Sequence, residues 1–217
     1  DYEEAKKYYL MASEKGDSSA MNNIGFYYKC IENDYVKMEK YYLMAIEKGN
    51  VSALNNFGHY HHYIDKDYVE MKKYYLMAID KGNVCAMYNL GIYYCNIEQN
   101  YVEMKKYYLM AIEKGDSDTM YELGKHYHYV ENNYCEAIKY YEMAINKGIF
   151  DARDDLDKAK KQLKIWSKAN FLNKINDLSF DLSYDIIDEQ NDCSICRCEK
   201  IVLINVNCLK KHDHYYC

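Results

Sequence analysis

The chain repeats one phrase five times at a constant spacing of 33 residues, and its plainest copy is EMKKYYLMAIDKGN, which starts at Glu70. The tyrosine before each phrase and the glycine that closes it are in register: Tyr2, Tyr35, Tyr68, Tyr101 and Tyr134, with Gly16, Gly49, Gly82, Gly115 and Gly148. A period of this length is typical of solenoids, whose units bury an apolar face only by stacking on their neighbours. The repeat therefore predicts an array of five units over residues 1–150, starting at residues 1, 34, 67, 100 and 133.

Each unit is predicted to contain two helices. Residues 35–48 place Met38 and Tyr42 on one apolar face at helical spacing, and the glycine that follows suits a left-handed C-terminal cap. Residues 53–63 form the other predicted helix, in which Gly58 lies where two helices approach closely. The Asp or Asn before each opening tyrosine is the expected N-cap.

Two stretches, AMYNLGIYY from Ala86 and YVEMKKYYLMAIEKGD from Tyr101, resemble the Sel-1-like repeat, a relative of the tetratricopeptide repeat. The residues that correspond to the family pattern are Ala86, Leu90, Gly91, Tyr94, Met104, Tyr108, Ala111 and Gly115. The unit is shorter than is usual for the family, and methionine replaces an alanine in the middle units (Met38, Met71 and Met104). The resemblance implies an all-α fold, a right-handed α/α solenoid of five helix-turn-helix repeats.

Each phrase carries two adjacent tyrosines, which we interpret as packing residues rather than as part of a cofactor site. The second of each pair is expected to pack between the helices: Tyr9, Tyr42, Tyr75, Tyr108 and Tyr141. The first of each pair is expected to lie between neighbouring units or half exposed: Tyr8, Tyr41, Tyr74, Tyr107 and Tyr140.

Residues 151–169 break the repeat but keep an apolar stripe at helical spacing, formed by Ala152, Leu156, Ala159, Leu163 and Trp166. This stripe predicts a C-terminal capping helix that covers the last repeat, and a helix that binds a partner is the alternative. Residues 170–192 are predicted to be an acidic linker, either solvated or forming a short helix, because the stretch from residue 176 contains six acids and no base.

In related solenoids the first helix of each unit lines a concave groove, and the resemblance implies the same arrangement here. Several positions on that helix vary from unit to unit, whereas the packing positions repeat. The candidate groove residues are Asn22, Phe26, Asn55, His59, His62, Tyr88, Ile92, Tyr121, Lys125 and His128. A polar and aromatic groove suits an extended peptide or a helix of a partner protein. The alternative is that these side chains are simply exposed and free to vary.

Histidines cluster in HYHHY (His59, His61 and His62) and in HYH (His126 and His128). The two clusters lie two units apart, and no carboxylate stands at a regular ligand spacing from them. We therefore expect neither a metal ion nor an active site in the array. His61 occupies a position that tyrosine fills in the other units, so it is predicted to be a packing residue.

The last residues contain CSICRCEK and CLKKHDHYYC, which supply a Cys-x2-Cys pair and a later group of cysteines and histidines. Thiolate and imidazole groups at such spacings are typical of structural zinc sites. Residues 193–217 resemble the first half of a RING domain, which implies zinc ligands among Cys193, Cys196, Cys208, His212, His214 and Cys217. The resemblance also implies that Ile195 contacts a ubiquitin-conjugating enzyme, and that further ligands follow residue 217.

Two alternatives for this tail stay open. One zinc ion held by Cys193, Cys196, His214 and Cys217 is the first, and a tail without metal is the second. Cys198 is a spare thiol in every version.

The combined resemblance implies a protein that recruits a target protein through its repeats and, with a completed RING, promotes ubiquitin transfer. A non-catalytic adaptor with a structural zinc finger is the alternative. The formal net charge of -6 argues against general attraction to nucleic acid, and no apolar run is long enough for a membrane span. The uneven distribution of the nine cysteines favours reduced thiols, so we expect an intracellular, cytoplasmic protein.

Overall fold

A computed structural model describes residues 2–178, and within that range all regular secondary structure is helical. This part of the chain divides into two compact units, an N-terminal unit that ends at Thr119 and a C-terminal unit that begins at Met120. Among residues 2–178, no helix combines the length and the apolar character needed to cross a membrane. The tail predictions and most of the predicted linker fall outside the described residues.

The α-helices of residues 2–178 number ten and alternate between two types. The phrase helices, which carry the repeated phrase, are α1 (Tyr2–Glu14), α3 (Tyr35–Glu47), α5 (Tyr68–Asp80), α7 (Tyr101–Glu113) and α9 (Tyr134–Asn146). The first helices, each of which precedes a phrase helix in a hairpin, are α2 (Ser18–Tyr27), α4 (Val51–Tyr60), α6 (Val84–Asn96) and α8 (Ser117–Tyr129). Short π-helical segments, Tyr28–Glu32 and His61–Asp65, extend α2 and α4, and the last helix is α10 (Ala152–Leu178). The predicted all-α fold of helix-turn-helix repeats is confirmed.

Side chains at recurring positions define the helix ends. Four phrase helices are capped at their N-termini by a side-chain oxygen, which accepts a hydrogen bond from a main-chain N–H group two or three residues later. The capping residues are Asp34, Asp67, Asn100 and Asn133. The closing glycines have φ values between 79° and 98°, which lie in the left-handed region that glycine adopts without strain. Both predicted kinds of cap are therefore confirmed.

A glycine of the first helix and a tyrosine of the phrase helix meet in each hairpin. In the α4–α5 hairpin, a Cβ added to Gly58 would lie only 2.7 Å from Cδ1 of Tyr75, so only glycine permits this approach. The equivalent pairs are Gly25–Tyr42, Gly91–Tyr108 and Gly124–Tyr141. These four tyrosines are at most 3% exposed, which confirms their predicted packing role, whereas Tyr9 in α1 is half-buried.

In α3, α5, α7 and α9, the other tyrosine of the pair stacks on a ring of the preceding first helix or of its π-helical extension. Tyr107 lies parallel to Tyr94, with ring centroids 5.6 Å apart and 1° between the planes. The equivalent stacks are Tyr41 on Tyr28, Tyr74 on His61 and Tyr140 on Tyr127. His61 therefore packs in the tyrosine position, as predicted. Each stack joins a tyrosine of one repeat unit to a ring of the preceding unit, so the expected location between neighbouring units is confirmed for these four tyrosines. Tyr8, in the first phrase helix, is 60% exposed.

The first helices form one side of the N-terminal unit. Helix α4 contacts both α2 and α6 directly, whereas the phrase helices contact mainly the first helices beside them. Each first helix buries one large apolar side chain at the same repeat position: Ile24, Phe57 and Leu90. The three helices therefore present a continuous surface built from equivalent positions.

In the C-terminal unit, α10 packs against α9, as expected of a capping helix. Ala152 and Ala159 are fully buried, but Trp166 is 53% exposed. The prediction that Trp166 belongs to the buried stripe is wrong. Helix α9 has 13 residues and α10 has 27, so α9 covers only part of α10. Helix α10 also continues through residues 170–178, which the sequence assigned to the linker.

Candidate polypeptide-binding wall

The predicted groove residues of the N-terminal unit lie on equivalent positions of α2, α4 and α6. Phe26 is 51% exposed, and the others that remain accessible are half-buried: Asn22, Asn55, His59, Tyr88 and Ile92. We call this surface the first-helix wall and define it by these six residues together with Lys29. The ring of Tyr88 also stacks on the buried Tyr108, with centroids 5.9 Å apart, so it contributes to packing as well.

Two predicted groove residues are buried instead. His62 is 6% exposed and His128 is 1% exposed, so the prediction that they line an accessible groove is wrong. His128 Nδ1 lies 3.1 Å from the hydroxyl of Tyr141 inside its hairpin. The ring of His62 lies edge-on to Tyr75 and Tyr93, and burial lowers the pKa of His62. Both histidines therefore act as packing residues.

Asparagine side chains join neighbouring first helices in a ladder. The Nδ2 group of Asn56 on α4 donates to Oδ1 of Asn22 on α2 at 2.9 Å. One repeat further, Nδ2 of Asn89 on α6 donates to Oδ1 of Asn55 on α4 at 3.0 Å. Both bonds connect residues 34 positions apart, so the ladder follows the repeat. It occupies the oxygen of Asn55 and leaves the two amide hydrogens of that residue as donors.

Lys29, which follows α2 in the π-helical segment, extends the wall and was missed by the sequence analysis. Its Nζ lies 3.1 Å from Nδ1 of His59, and because an ammonium group only donates, Nδ1 is the acceptor and Nε2 carries the ring proton. Burial, and then the charge of Lys29, lower the pKa of His59 to about 4, so the ring is neutral at neutral pH. Burial also lowers the pKa of Lys29. The available sequence signal was the variability of its repeat position, which holds His62, Cys95 and His128 in the other units.

The first-helix wall is polar but nearly uncharged. Helices α2, α4 and α6 contain no Asp or Glu, whereas α3, α5 and α7 carry both acids and lysines. In α5, the ammonium of Lys73 pairs with Glu70 at 2.8 Å and lies 5.0 Å from the ring centroid of Tyr74. The charges of the N-terminal unit are thus concentrated on its phrase helices.

The two remaining groove residues predicted in the C-terminal unit, Tyr121 and Lys125, already have partners there. Lys125 Nζ pairs with Glu122 at 2.5 Å and lies 4.8 Å from the ring centroid of Tyr121. The hydroxyl of Tyr121 donates to Asp155 on α10 at 2.8 Å. Their polar atoms therefore stabilise this unit. The side chains that remain available to a ligand are those of the N-terminal unit.

No cluster of three or more His, Cys, Asp or Glu side chains within residues 2–178 is arranged to hold a metal ion. Two cysteines of this range are exposed free thiols, Cys30 and Cys85. The predicted zinc ligands of the tail and Ile195 lie outside the described residues, so the structure does not place them.

No family model and no curated protein matches this sequence, but solved structures share its fold. A Sel1 repeat protein from Oxalobacter formigenes is 23% identical with a TM-score of 0.59, over 78% of this chain and 80% of that one. The protein c5321, a protective antigen present in uropathogenic Escherichia coli strains and displaying an SLR fold, is 21% identical with a TM-score of 0.60. That match covers 75% of this chain and 40% of c5321.

The immunity protein PA5088 from Pseudomonas aeruginosa is 25% identical with a TM-score of 0.50, over 68% of this chain and 58% of that one. This chain therefore spans less than two thirds of the length of both c5321 and PA5088. These likenesses show that the chain has the fold of the Sel1-repeat proteins, and they confirm the predicted all-α solenoid class.

Proposed function

We propose that this protein is a non-catalytic adaptor whose first-helix wall binds an extended segment of a partner polypeptide. One contrast carries the proposal: the glycine–tyrosine contacts repeat in every hairpin, whereas a single wall position changes from Phe26 to His59 to Ile92. Positions that vary beside constant packing residues are free of packing constraints and available for recognition. The Sel1-repeat fold supports a protein-binding scaffold, because stacked repeats create extended binding surfaces.

An extended segment fits the wall better than a helix does. The amide hydrogens of Asn55 need acceptors, and an extended main chain offers its carbonyl oxygens to such donors. A helix uses those oxygens for its own hydrogen bonds and offers only side chains. Phe26 and Ile92 supply apolar surface for side chains of the bound segment.

The proposal is tested with peptides selected from a random library against the whole chain. Phe26→Ser and Ile92→Ser are each expected to lower the affinity for the tightest-binding peptides about tenfold or more. Each change removes an apolar contact that contributes roughly 1–2 kcal/mol to binding. Val69→Ser is the matched control, since Val69 is 78% exposed on the phrase helix α5. Unchanged affinity in both wall variants would contradict the proposal, as would an equal loss in the control. Melting temperatures show whether any loss arises from unfolding.

A separate proposal concerns residues 193–217, whose cysteines and histidines we propose bind structural zinc. The Cys-x2-Cys and His-x2-Cys spacings of the sequence support it. Bound zinc would fold this segment, because the free energy of metal binding becomes folding free energy. Elemental analysis is expected to find less zinc in Cys193→Ser and Cys217→Ser than in Cys198→Ser, and equal zinc in all three would refute the site.

Promotion of ubiquitin transfer is proposed only for a protein in which further ligands complete the RING. In that form Ile195 would contact a ubiquitin-conjugating enzyme while the wall holds the target nearby, which raises the effective concentration of the reacting groups. If the completed protein ubiquitinates itself and Cys193→Ser abolishes this activity, the role is supported. If autoubiquitination is unchanged in Cys193→Ser, only the adaptor function remains. The free thiols of Cys30 and Cys85 fit the intracellular location that both forms of the proposal assume.

A further inference from the structure

Lys29 is a half-buried cation whose charge is not balanced by its surroundings. Its ammonium bonds the neutral imidazole of His59, and within residues 2–178 no carboxylate forms an ion pair with it. The nearest acid along the chain, Glu32, is paired with Lys6. Burial lowers the pKa of Lys29, so its environment disfavours the charged form. Packing alone therefore gives no reason for a lysine at this position.

The hydrogen bonds of Lys29 and Asn55 leave donors without acceptors. The ammonium has three hydrogens, and His59 accepts only one of them. The proton of the imidazole is on Nε2, at the ring edge opposite Lys29, so His59 orients the ammonium through Nδ1. Asn55 lies one helical turn before His59 on α4, and the ladder occupies its oxygen but not its amide hydrogens. Two side chains of the wall, Lys29 and Asn55, thus offer donors, and Lys29 carries a positive charge.

We propose that Lys29, oriented by His59, and Asn55 form a carboxylate-binding site in the first-helix wall, where the partner segment places an acidic side chain or its C-terminal carboxylate. This inference rests on the function proposed above and names the chemistry that the wall recognises. A single carboxylate matches the single cation of the site, and hydrogen bonds between charged groups are stronger than neutral ones. The acid-free helices α2, α4 and α6 do not repel the incoming anion.

The charge of the whole chain limits how acidic the partner is. The formal net charge of -6 repels a strongly acidic segment at long range, so we expect a small number of acids at a fixed register rather than an acidic run. Specificity then depends on where the carboxylate falls relative to the apolar side chains that contact Phe26 and Ile92.

The test is a double-mutant cycle on peptides that the wild-type chain selects. Each peptide is compared in three forms: as selected, with its acidic side chains replaced by amides, and with an amidated C-terminus. Each form is measured against wild type and Lys29→Met, with Lys29→Gln as a second variant of different polarity. Lys37→Met is the control, because Lys37 lies on α3, outside the wall, and its ammonium pairs at 2.8 Å with Asp34, the N-cap residue of that helix.

Removing the essential carboxylate is expected to weaken binding to wild type about tenfold or more, and binding to Lys29→Met by less than about twofold. The form that loses affinity identifies the carboxylate as a side chain or a chain terminus. Free Lys29→Met is expected to melt no lower than wild type, because a buried uncompensated charge has been removed. Added salt should weaken binding to wild type more than binding to the variant.

Equal losses in wild type and Lys29→Met would overturn the site. Peptides that bind the wall but are indifferent to replacement of their carboxylates would also overturn it, while leaving the proposed polypeptide-binding function intact. A chain that selects no peptides at all would overturn both proposals. The two failures are therefore distinguishable.

Discussion

At the residue scale, a tyrosine ring occupies the space that a side chain would need at four glycines of the first helices. Gly58 and Tyr75 show the consequence: the ring is fully buried, so it has no free volume into which it can move. Two residues per hairpin thus determine how closely its helices approach. Their neighbours on the wall are left free to differ.

Gly58→Ala is expected to lower the free energy of unfolding by about 1–3 kcal/mol, the usual cost of adding atoms to a tightly packed core. The new Cβ would lie 2.7 Å from Cδ1 of Tyr75, well inside van der Waals contact. Urea unfolding followed by circular dichroism measures the change. Ser52→Ala, at an exposed position of α4, is the control and is expected to stay within about 0.5 kcal/mol of wild type. Equal stability of both variants would show that the close approach is not required.

The hydroxyl groups of two equivalent tyrosines differ in their partners. The Tyr141 hydroxyl lies 3.1 Å from Nδ1 of His128, whereas the Tyr75 hydroxyl is buried without a hydrogen-bond partner among residues 2–178. Tyr141→Phe is expected to lower the free energy of unfolding by about 1 kcal/mol, and Tyr75→Phe to leave it unchanged or raise it. Parallel urea titrations test this order, and a larger loss in Tyr75→Phe would contradict the hydrogen-bond assignment.

The role of a residue could be predicted from the sequence where its type favours burial and the same type recurs at that position in every repeat. The buried tyrosines met that condition, because large apolar rings recur at one position in every unit. His62 and His128 did not: histidine has no strong preference for burial, and their repeat position holds Lys29 and Cys95 elsewhere. Their burial depends on neighbouring rings, such as that of Tyr141 beside His128, which only the folded hairpin brings together.

At the element scale, several first helices are followed by a residue in the left-handed conformation. The residues at this position have φ values between 50° and 58°: Asn33, Lys66, Gln99 and Asn132. A side chain costs roughly 1–2 kcal/mol in this conformation, and asparagine tolerates it better than lysine. Lys66 is therefore a strained helix end.

Lys66→Gly is expected to raise the free energy of unfolding by about 0.5 kcal/mol, because relief of strain outweighs the added backbone entropy of the unfolded chain. The same change at Lys48, where φ is −85°, relieves no strain and is expected to lower it by about 0.5–1 kcal/mol. Thermal unfolding of the two variants measures whether their free energies of unfolding change in opposite directions. Destabilisation of similar size in both would mean that the left-handed conformation carries no strain.

A buried carboxylate fastens α10 to its unit. Asp155 accepts hydrogen bonds from Tyr121 at 2.8 Å, Tyr129 at 2.7 Å and Lys158 at 2.9 Å. Burial acts to raise the pKa of Asp155, but the bonds from Lys158 and the two tyrosines outweigh it, and the pKa is lowered. A carboxyl group with a lowered pKa in the fold stabilises the protein above its unfolded pKa, and this contribution is lost as pH falls through the folded value.

Asp155→Asn is expected to lower the free energy of unfolding at pH 7 by about 1–3 kcal/mol, because it weakens three hydrogen bonds to a charged group. The difference from wild type should shrink as the pH falls below about 4, where the unfolded carboxyl group protonates. Urea unfolding across this pH range measures it. The exposed neighbour Asp154, changed to Asn, is the control and should show a small, nearly constant effect. A pH-independent difference for Asp155→Asn would contradict the assigned charge.

Helix ends were predictable from the sequence because capping chemistry is local, with an Asp or Asn before each phrase helix and a glycine after it. The exposure of Trp166 was not, because it depends on how far α9 extends along α10. A helix rises about 1.5 Å per residue, so the two helices differ in length by roughly 20 Å. An apolar stripe reveals the face of a helix but not the length of its neighbour.

At the scale of the whole molecule, the constant packing residues and the variable residues proposed for recognition occupy different positions of the same repeat. Glycines and tyrosines hold each hairpin together, while the first-helix wall carries variable side chains and no acids in a chain of formal net charge -6. The repeat predicted the fold, since the period alone requires stacked units. The Lys29–His59 contact and the asparagine ladder were not predicted, because they join residues 30 and 34 positions apart that meet only when the repeats stack.

Binding of a polypeptide at the first-helix wall, rather than on the phrase helices, is tested most directly by site-specific photo-crosslinking. A benzophenone amino acid is introduced in place of Phe26 on α2 or of Val69 on α5, both exposed positions of the N-terminal unit. After addition of a peptide selected by the wild-type chain, we expect a covalent product from position 26 and none from position 69. A product from position 69 without one from position 26 would place the binding surface on the phrase helices and contradict the proposed function.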